Sequence, residues 1–321
     1  MLENHLALWL LDSDPALRWQ VERDLLEAPP AVWQATRARV ATEGFGAELL
    51  RHQDADGQWA GGPFFPAGWE WGSGEPQPWT ATTWVLKDLR ELGVPASALE
   101  GTAEKLAATR WEYDDLPYWG GEVDCCINSW TLSNGLWLGA DVDAIVDWFL
   151  DHQLEDGGWN CEWGEGSQVS SFHSTLNALI ALLDYQRVPG DPARVAAARR
   201  SGEEYLLSRA LFRRRSTGEP FNEWVFSLAH PRRAYYNVLA AADYFRGAAE
   251  ADGTAPDLRM EEAIENIRSQ RQPDGWWLQG HRLPGAVWFH QDSPTGEPSK
   301  WVTLQAMRVL NWWGAGSSRM G

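Results

Sequence analysis

The sequence predicts an all-α fold, an α/α toroid in which a barrel of inner helices is ringed by paired outer ones. Three observations predict it. A tryptophan-anchored turn recurs along the chain. The apolar residues between the turns follow helical periods. Those helices divide into two kinds, one apolar along a single stripe and one apolar nearly all round.

The turn has the pattern Q-x3-G-x-W. Gln53-Asp54-Ala55-Asp56-Gly57-Gln58-Trp59 fits it, and so does Gln153-Leu154-Glu155-Asp156-Gly157-Gly158-Trp159. A third copy, Arg271-Gln272-Pro273-Asp274-Gly275-Trp276-Trp277, keeps the glycine and tryptophan and begins with Arg. Tyr118-Trp119-Gly120-Gly121 is a degenerate fourth. In the clearest copies a glycine closes a tight turn after a helix, and the tryptophan can staple that turn to neighbouring helices.

Residues 1–43 read as extra N-terminal helices. Asp14-Pro15 is a helix start with proline in the first turn, followed by Leu17, Val21 and Leu25 on one face. Residues 44–313 carry the repeats, and 314–321 read as a frayed tail. No low-complexity linker divides the chain, so one domain is expected.

Within the repeats, Val142, Ile145, Val146, Phe149 and Leu150 make one stripe, with Asp143, Asp147 and Asp151 elsewhere; this is an outer helix. The segment from Cys125 to Leu138 has almost no charge and is an inner one. Phe172, Leu176, Leu179, Ile180 and Leu183 mark another. Further inner helices are expected to begin near Thr80, Arg232 and Ser299, the last capped by its serine. Parallel inner helices would turn their N-terminal ends, at Thr80, Asp124, His173, Tyr235 and Trp301, toward one mouth.

Composition narrows the function. Net charge is −18, the wrong sign for a nucleic-acid binder. No stretch reaches the roughly 20 apolar residues of a membrane span. The short apolar run Leu6–Leu11 lacks a basic leader, so no signal peptide is expected. Three cysteines, two of them adjacent, make a poor disulfide framework; reduced thiols and a cytoplasmic location are expected. Twenty-two tryptophans exceed what helix packing calls for, and a minority are expected to line a cavity for an apolar or cationic species. The expected partner is a small apolar substrate, and self-association into a homo-oligomer is left open.

The Q-x3-G-x-W copies resemble the QW repeats of squalene–hopene cyclases and the related repeats of protein prenyltransferase β subunits. Val123-Asp124-Cys125-Cys126-Ile127-Asn128-Ser129-Trp130 is similar to the prenyltransferase segment V-D-x-C-x-x-x-W, and Phe172-His173-Ser174 falls where that family has its histidine zinc ligand. The resemblance implies zinc held by Asp124, Cys126 and His173, with Cys161 a further ligand or a neighbouring thiol. Three such ligands leave a fourth position for water or substrate. It implies an enzyme, a zinc-dependent transferase, lyase or hydrolase on a terpenoid-like substrate, with Asp124, Cys126 and His173 catalytic. Trp130, Trp163, Tyr235, Tyr236 and Trp301 are the candidates for contact with substrate. The basic residues that the prenyltransferases carry upstream of their zinc aspartate are absent here, where the stretch reads Trp119-Gly120-Gly121-Glu122-Val123; this argues against protein prenylation.

Two other functions fit the same residues. Class II terpene cyclases carry D-x-D-D at an inner-helix start, and Glu122-Val123-Asp124-Cys125 keeps two of its acids. A metal-free, acid-initiated cyclase or isomerase would need such an acid held protonated. A non-catalytic toroid binding a lipid or a partner protein would use the cysteines as core. His281 and His290 flank an aromatic loop with Trp288 and Phe289, expected to fold over the mouth or the surface.

Overall fold

The computed structural model describes residues 4–121 and 124–317. Over that range the protein is all-α. Among the described residues the strands are β1 (Trp277–Leu278) and β2 (Pro298–Ser299), an antiparallel pair with Trp277 opposite Ser299. No helix among them is long and apolar enough to cross a membrane.

The chain divides into two compact units. One comprises Leu11–Asp151 and Leu283–Gln291; the other comprises the described residues of Met1–Leu10, His152–Arg282 and Asp292–Gly321.

The first unit follows α1 (Asn4–Leu11) and contains α2 (Pro15–Asp24), α3 (Pro30–Ala38), α4 (Gly44–Arg51), α5 (Thr82–Leu92), α6 (Thr102–Ala107), α7 (Cys125–Leu138) and α8 (Asp143–Asp151). α2 starts as the sequence predicts, with the Asp14 carboxylate accepting the Ala16 N–H at 2.8 Å and Pro15 at the first helical position. It packs on α3, and α5 packs on α7. α7 is buried from Ile127 to Gly135, which its lack of charge foretold. Its polar side chains turn back on the helix: the Ser129 hydroxyl donates to Cys125 O at 2.7 Å and that of Thr131 to Ile127 O at 2.8 Å. α8 buries Ile145, Val146 and Phe149 and exposes Asp143, Asp147 and Asp151, the one-sided pattern read from the sequence.

The second unit contains α9 (Phe172–Arg187), α10 (Ala193–Leu207), α11 (Val238–Asp252), α12 (Glu261–Ser269) and α13 (Lys300–Ser317). α9 packs on α10, and α11 packs on both α12 and α13. Ser299 caps α13 by accepting the Val302 N–H at 2.9 Å, as expected. Two boundaries differ from expectation. α11 begins at Val238, six residues beyond Arg232. Pro231 has no N–H to give, Arg233 sits at φ +53°, and the first available cap is Asn237, whose side chain accepts the Ala240 N–H at 2.8 Å. At the other end, residues 314–317 continue α13 rather than fraying. Gly316 backs directly onto Pro256, where an added Cβ would meet the ring at 2.3 Å. The rest of the expected tail lies outside the described residues.

The repeat turns share one set of bonds. The first residue closes the turn onto its glycine carbonyl: Gln53 Nε2 donates to Gly57 O at 3.1 Å, Gln153 Nε2 to Gly157 O at 2.6 Å, and Arg271 Nε to Gly275 O at 3.1 Å. Arginine therefore does glutamine's work in the third copy. All three glycines lie at φ near +90° to +100°, where a side chain would be strained. The tryptophan backbone N–H then donates to a threonine at or near the start of the next long helix: Trp59 to Thr82 and Trp159 to Thr175, both at 3.1 Å, and Trp277 to Thr303 at 2.9 Å. The indole N–H of Trp59 reaches back to Leu49 O and that of Trp277 to Ile267 O, both at 2.7 Å. Each ring is at most 1% exposed. Trp59 and Trp277 thus bury the whole ring with both of their N–H groups satisfied, which is what a large amphipathic side chain requires.

Candidate metal ligands and aromatic clusters

In the first unit, Asp124 has an extended backbone and caps α7. One carboxylate oxygen accepts the N–H of Cys126 at 2.6 Å and of Ile127 at 3.2 Å. Cys126 and Asp124 are both half-buried, whereas Cys125 is fully buried. The adjacent thiols therefore differ: Cys125 is core and Cys126 is the accessible one. Glu122 and Val123 lie outside the described residues, so Asp124 is the only described member of the acid pair in the D-x-D-D comparison.

In the second unit, Ser171 caps α9 by accepting the Ser174 N–H at 3.0 Å. Cys161 lies in a short 3-10 turn, Cys161–Glu165, after the repeat tryptophan Trp159. Its N–H donates to Ser174 Oγ at 3.1 Å, and Ser174 Oγ donates to Cys161 Sγ at 3.2 Å. All three cysteines of the chain are free of disulfides.

His173 begins α9 inside an aromatic enclosure. Its ring centroid lies 4.9 Å from Trp224, 5.9 Å from Tyr235, 6.3 Å from Tyr236 and 6.5 Å from Phe221. Burial, reinforced by the positive charge of Arg232, lowers its pKa to about 4 against a smaller opposing pull from Cys161. The imidazole is therefore neutral near pH 7, the form that ligates metals.

The predicted aromatic residues are distributed over both units. Tyr235, 43% exposed, and buried Tyr236 gather on His173. Trp163 meets His152 edge-on at 4.3 Å. Trp301 stacks on His230 at 4.4 Å and 12°. In the first unit, Trp130 joins Trp84 at 4.5 Å and Phe64 at 6.2 Å, and Trp79 meets Trp84 edge-on at 4.6 Å. The indole N–H groups of Trp84 and Trp130 are buried with no hydrogen-bond partner among the described residues; leaving such a donor dry costs about 1–3 kcal/mol. Sequence reading missed Phe64, Trp84, Phe221 and Trp224. Trp84 sits on a helix already assigned to the core, and the other three sit on irregular segments with no repeat spacing to mark them.

The loop with Trp288 and Phe289 is held down within the first unit. Trp288 stacks on His52 at 3.9 Å and its N–H donates to Thr80 O at 3.1 Å, while Phe289 stacks on Phe45 at 5.2 Å. His281 pairs instead with Ser227 Oγ at 2.9 Å in the second unit.

No protein-family model matches the chain. A terpentedienyl-diphosphate synthase of Kitasatospora griseola is 30% identical over 141 residues, which is 43% of this chain and 25% of that protein. The match thus spans a quarter of that relative's length, and the chain has a terpene synthase as a distant relative over less than half of itself. A protein from Actinoplanes of known crystal structure aligns over 94% of this chain and 90% of its own, with a TM-score of 0.46 and 17% identity.

Proposed function

We propose that the protein is a cytoplasmic enzyme acting on an apolar, isoprenoid-type small molecule, with zinc as its metal and with Asp124 and Cys126 of the first unit and Cys161 and His173 of the second as the candidate donors. The observation that carries the isoprenoid reading is the distant likeness to a terpene synthase; the aromatic enclosures around Trp130 and His173 support it.

Carboxylate, thiol and imidazole are all donors that zinc accepts. Bound zinc would polarise a substrate oxygen or activate a coordinated water or thiolate. The chain's own groups supply the rest. The two backbone N–H groups on Asp124 hold its carboxylate in one orientation. The neutral His173 can take or give a proton beside its aromatic walls. Those walls would exclude water and stabilise cationic character in a hydrocarbon by cation–π attraction.

Elemental analysis of protein purified without a metal-affinity tag, together with turnover of prenyl alcohols and prenyl diphosphates, tests the reading. About one zinc per chain and metal-dependent turnover are expected. Metal-free protein that turns over substrate at full rate would return the assignment to the acid-initiated reading.

A further inference from the structure

Within the first unit, α5 and α7 bury three polar atoms that the fold leaves unserved. The indole N–H groups of Trp84 on α5 and Trp130 on α7 have no hydrogen-bond partner among the described residues, and neither has Asn134 Oδ1, one turn beyond Trp130. Trp84 is 1% exposed, Trp130 5% and Asn134 0%, so bulk water does not serve them. Turning the Asn134 amide over gains nothing. Its Nδ2 donates to Thr83 O at 3.2 Å, and a carbonyl only accepts, so the oxygen is the atom left over. Thr83 precedes Trp84 in the chain, and the Trp84 and Trp130 rings stand 4.5 Å apart; the three side chains therefore share one seam between the two helices. Phe64 closes on both indoles, 5.0 Å from Trp84 and 6.2 Å from Trp130, and Trp79 meets Trp84 edge-on. An N–H over a ring face is a weak partner, and it would still leave the Asn134 oxygen unserved.

The set left over is two donors and one acceptor. That is the complement of a hydroxyl group, which accepts twice and donates once. None of Phe64, Trp79, Trp84, Trp130 and Asn134 carries a charge, so a diphosphate would find no cation among them. From this juxtaposition we infer that the seam between α5 and α7 is the subsite for the hydroxyl end of an alcohol, whose apolar body lies along the aromatic rings. The inference rests on the proposed isoprenoid-type substrate and adds its head group, a neutral alcohol rather than a diphosphate. A buried water has the same valence as the hydroxyl, and the test separates the two.

The full chain, isotope-labelled at its indole nitrogens, is titrated with farnesol, with farnesene as the same skeleton without the hydroxyl, and with farnesyl diphosphate. Farnesol should move two indole N–H resonances downfield, the ones missing from Trp84→Phe and from Trp130→Phe. It should bind about 10-fold more tightly than farnesene, and each variant, which keeps an aromatic wall but loses the donor, should give up about that factor. Farnesene affinity is the control for folding and should be the same in the variants as in the unaltered protein. A variant that loses both ligands alike would overturn the donor role. Farnesol and farnesene bound equally, with the two resonances unmoved, would assign the donors to a buried water and overturn the hydroxyl subsite alone. Diphosphate bound more tightly than farnesol, with the same two resonances moved, would overturn the neutral head group. Failure of all three probes to bind would overturn the isoprenoid reading itself.

Discussion

The starts of α7 and α9 are built on different principles, although both follow a repeat turn. α7 is capped by an acid, Asp124, one of whose carboxylate oxygens accepts two N–H groups of the helix. α9 is capped by a neutral serine, Ser171, whose hydroxyl passes a hydrogen on toward Cys161. Beside α9 the histidine is wrapped in aromatic rings and kept neutral. The difference teaches which part of the repeat is scaffold. The tryptophan and its threonine partner recur at the start of the chain, in the middle and near the end, whereas the groups able to do chemistry lie outside that shared set and differ from one helix start to the next.

The comparison breaks most visibly if the scaffold is removed. Trp159→Ala empties a fully buried site, although the backbone N–H that meets the Thr175 hydroxyl remains. A loss of about 3–5 kcal/mol in denaturant unfolding is expected. A loss under 1 kcal/mol would mean that the turn is not what fixes α9.

Acid and base conditions should act on two carboxylates of the second unit in opposite senses. Burial alone would raise Asp243, but the attraction of Arg308 and then Arg246 outweighs it and sets its pKa at about 2. Its stabilisation is therefore present above its ordinary value of 3.8 and is lost as pH falls through 2, on the order of 2 kcal/mol. Asp292 is raised to about 6 by burial, against opposing hydrogen bonds led by that of Ser299. The fold favours its protonated form, so stability should decline as pH rises from about 4 through 6. Melting temperatures across pH 2–7 should show both slopes. Asp292→Asn should flatten the upper one, and a slope unchanged in that variant would sink the assignment.

Asp124→Asn sharpens the comparison at the start of α7. Asparagine caps a helix about as well as aspartate, so stability should change by only a few tenths of a kcal/mol. Zinc retention should nevertheless fall at least about 10-fold, because an amide is a poorer ligand than a carboxylate. Equal loss of fold and metal would show that the cap, not the charge, is what the site needs. The smallest effect is expected at Arg271→Gln, which restores the repeat pattern. Gln53 and Gln153 already make the same bond to their glycine carbonyls, so unfolding free energy should move by less than about 0.5 kcal/mol.

Much of this was legible in the sequence because it rests on local periodicity. The one-sided stripe of α8, the chargeless run of α7 and the Asp14 and Ser299 caps all follow from spacing and side-chain type. The start of α11, expected near Arg232, was not legible, because nothing in the residues after Pro231 marks the left-handed backbone of Arg233. Nor was the enclosure of His173. Phe221 and Trp224 reach it from a segment about fifty residues further along the chain, and no period links them. The partnership of Ser174 with Cys161 was equally hidden, since it spans thirteen residues and two irregular turns.

The tryptophan clips have one more consequence, for how the chain can change length. Behind the ring the spacing is rigid: Trp59 and Trp277 each bond a carbonyl ten residues back. Ahead of it the separation to the threonine is 23, 16 and 26 residues in the three copies. The clip therefore gauges distance through space and is indifferent to contour length. The variable arc after Trp59 is also where Phe64, Phe65, Trp69 and Trp71 are carried. Insertions there can enlarge or reshape an aromatic wall while the helices on either side stay in register, so this is the place to graft new segments.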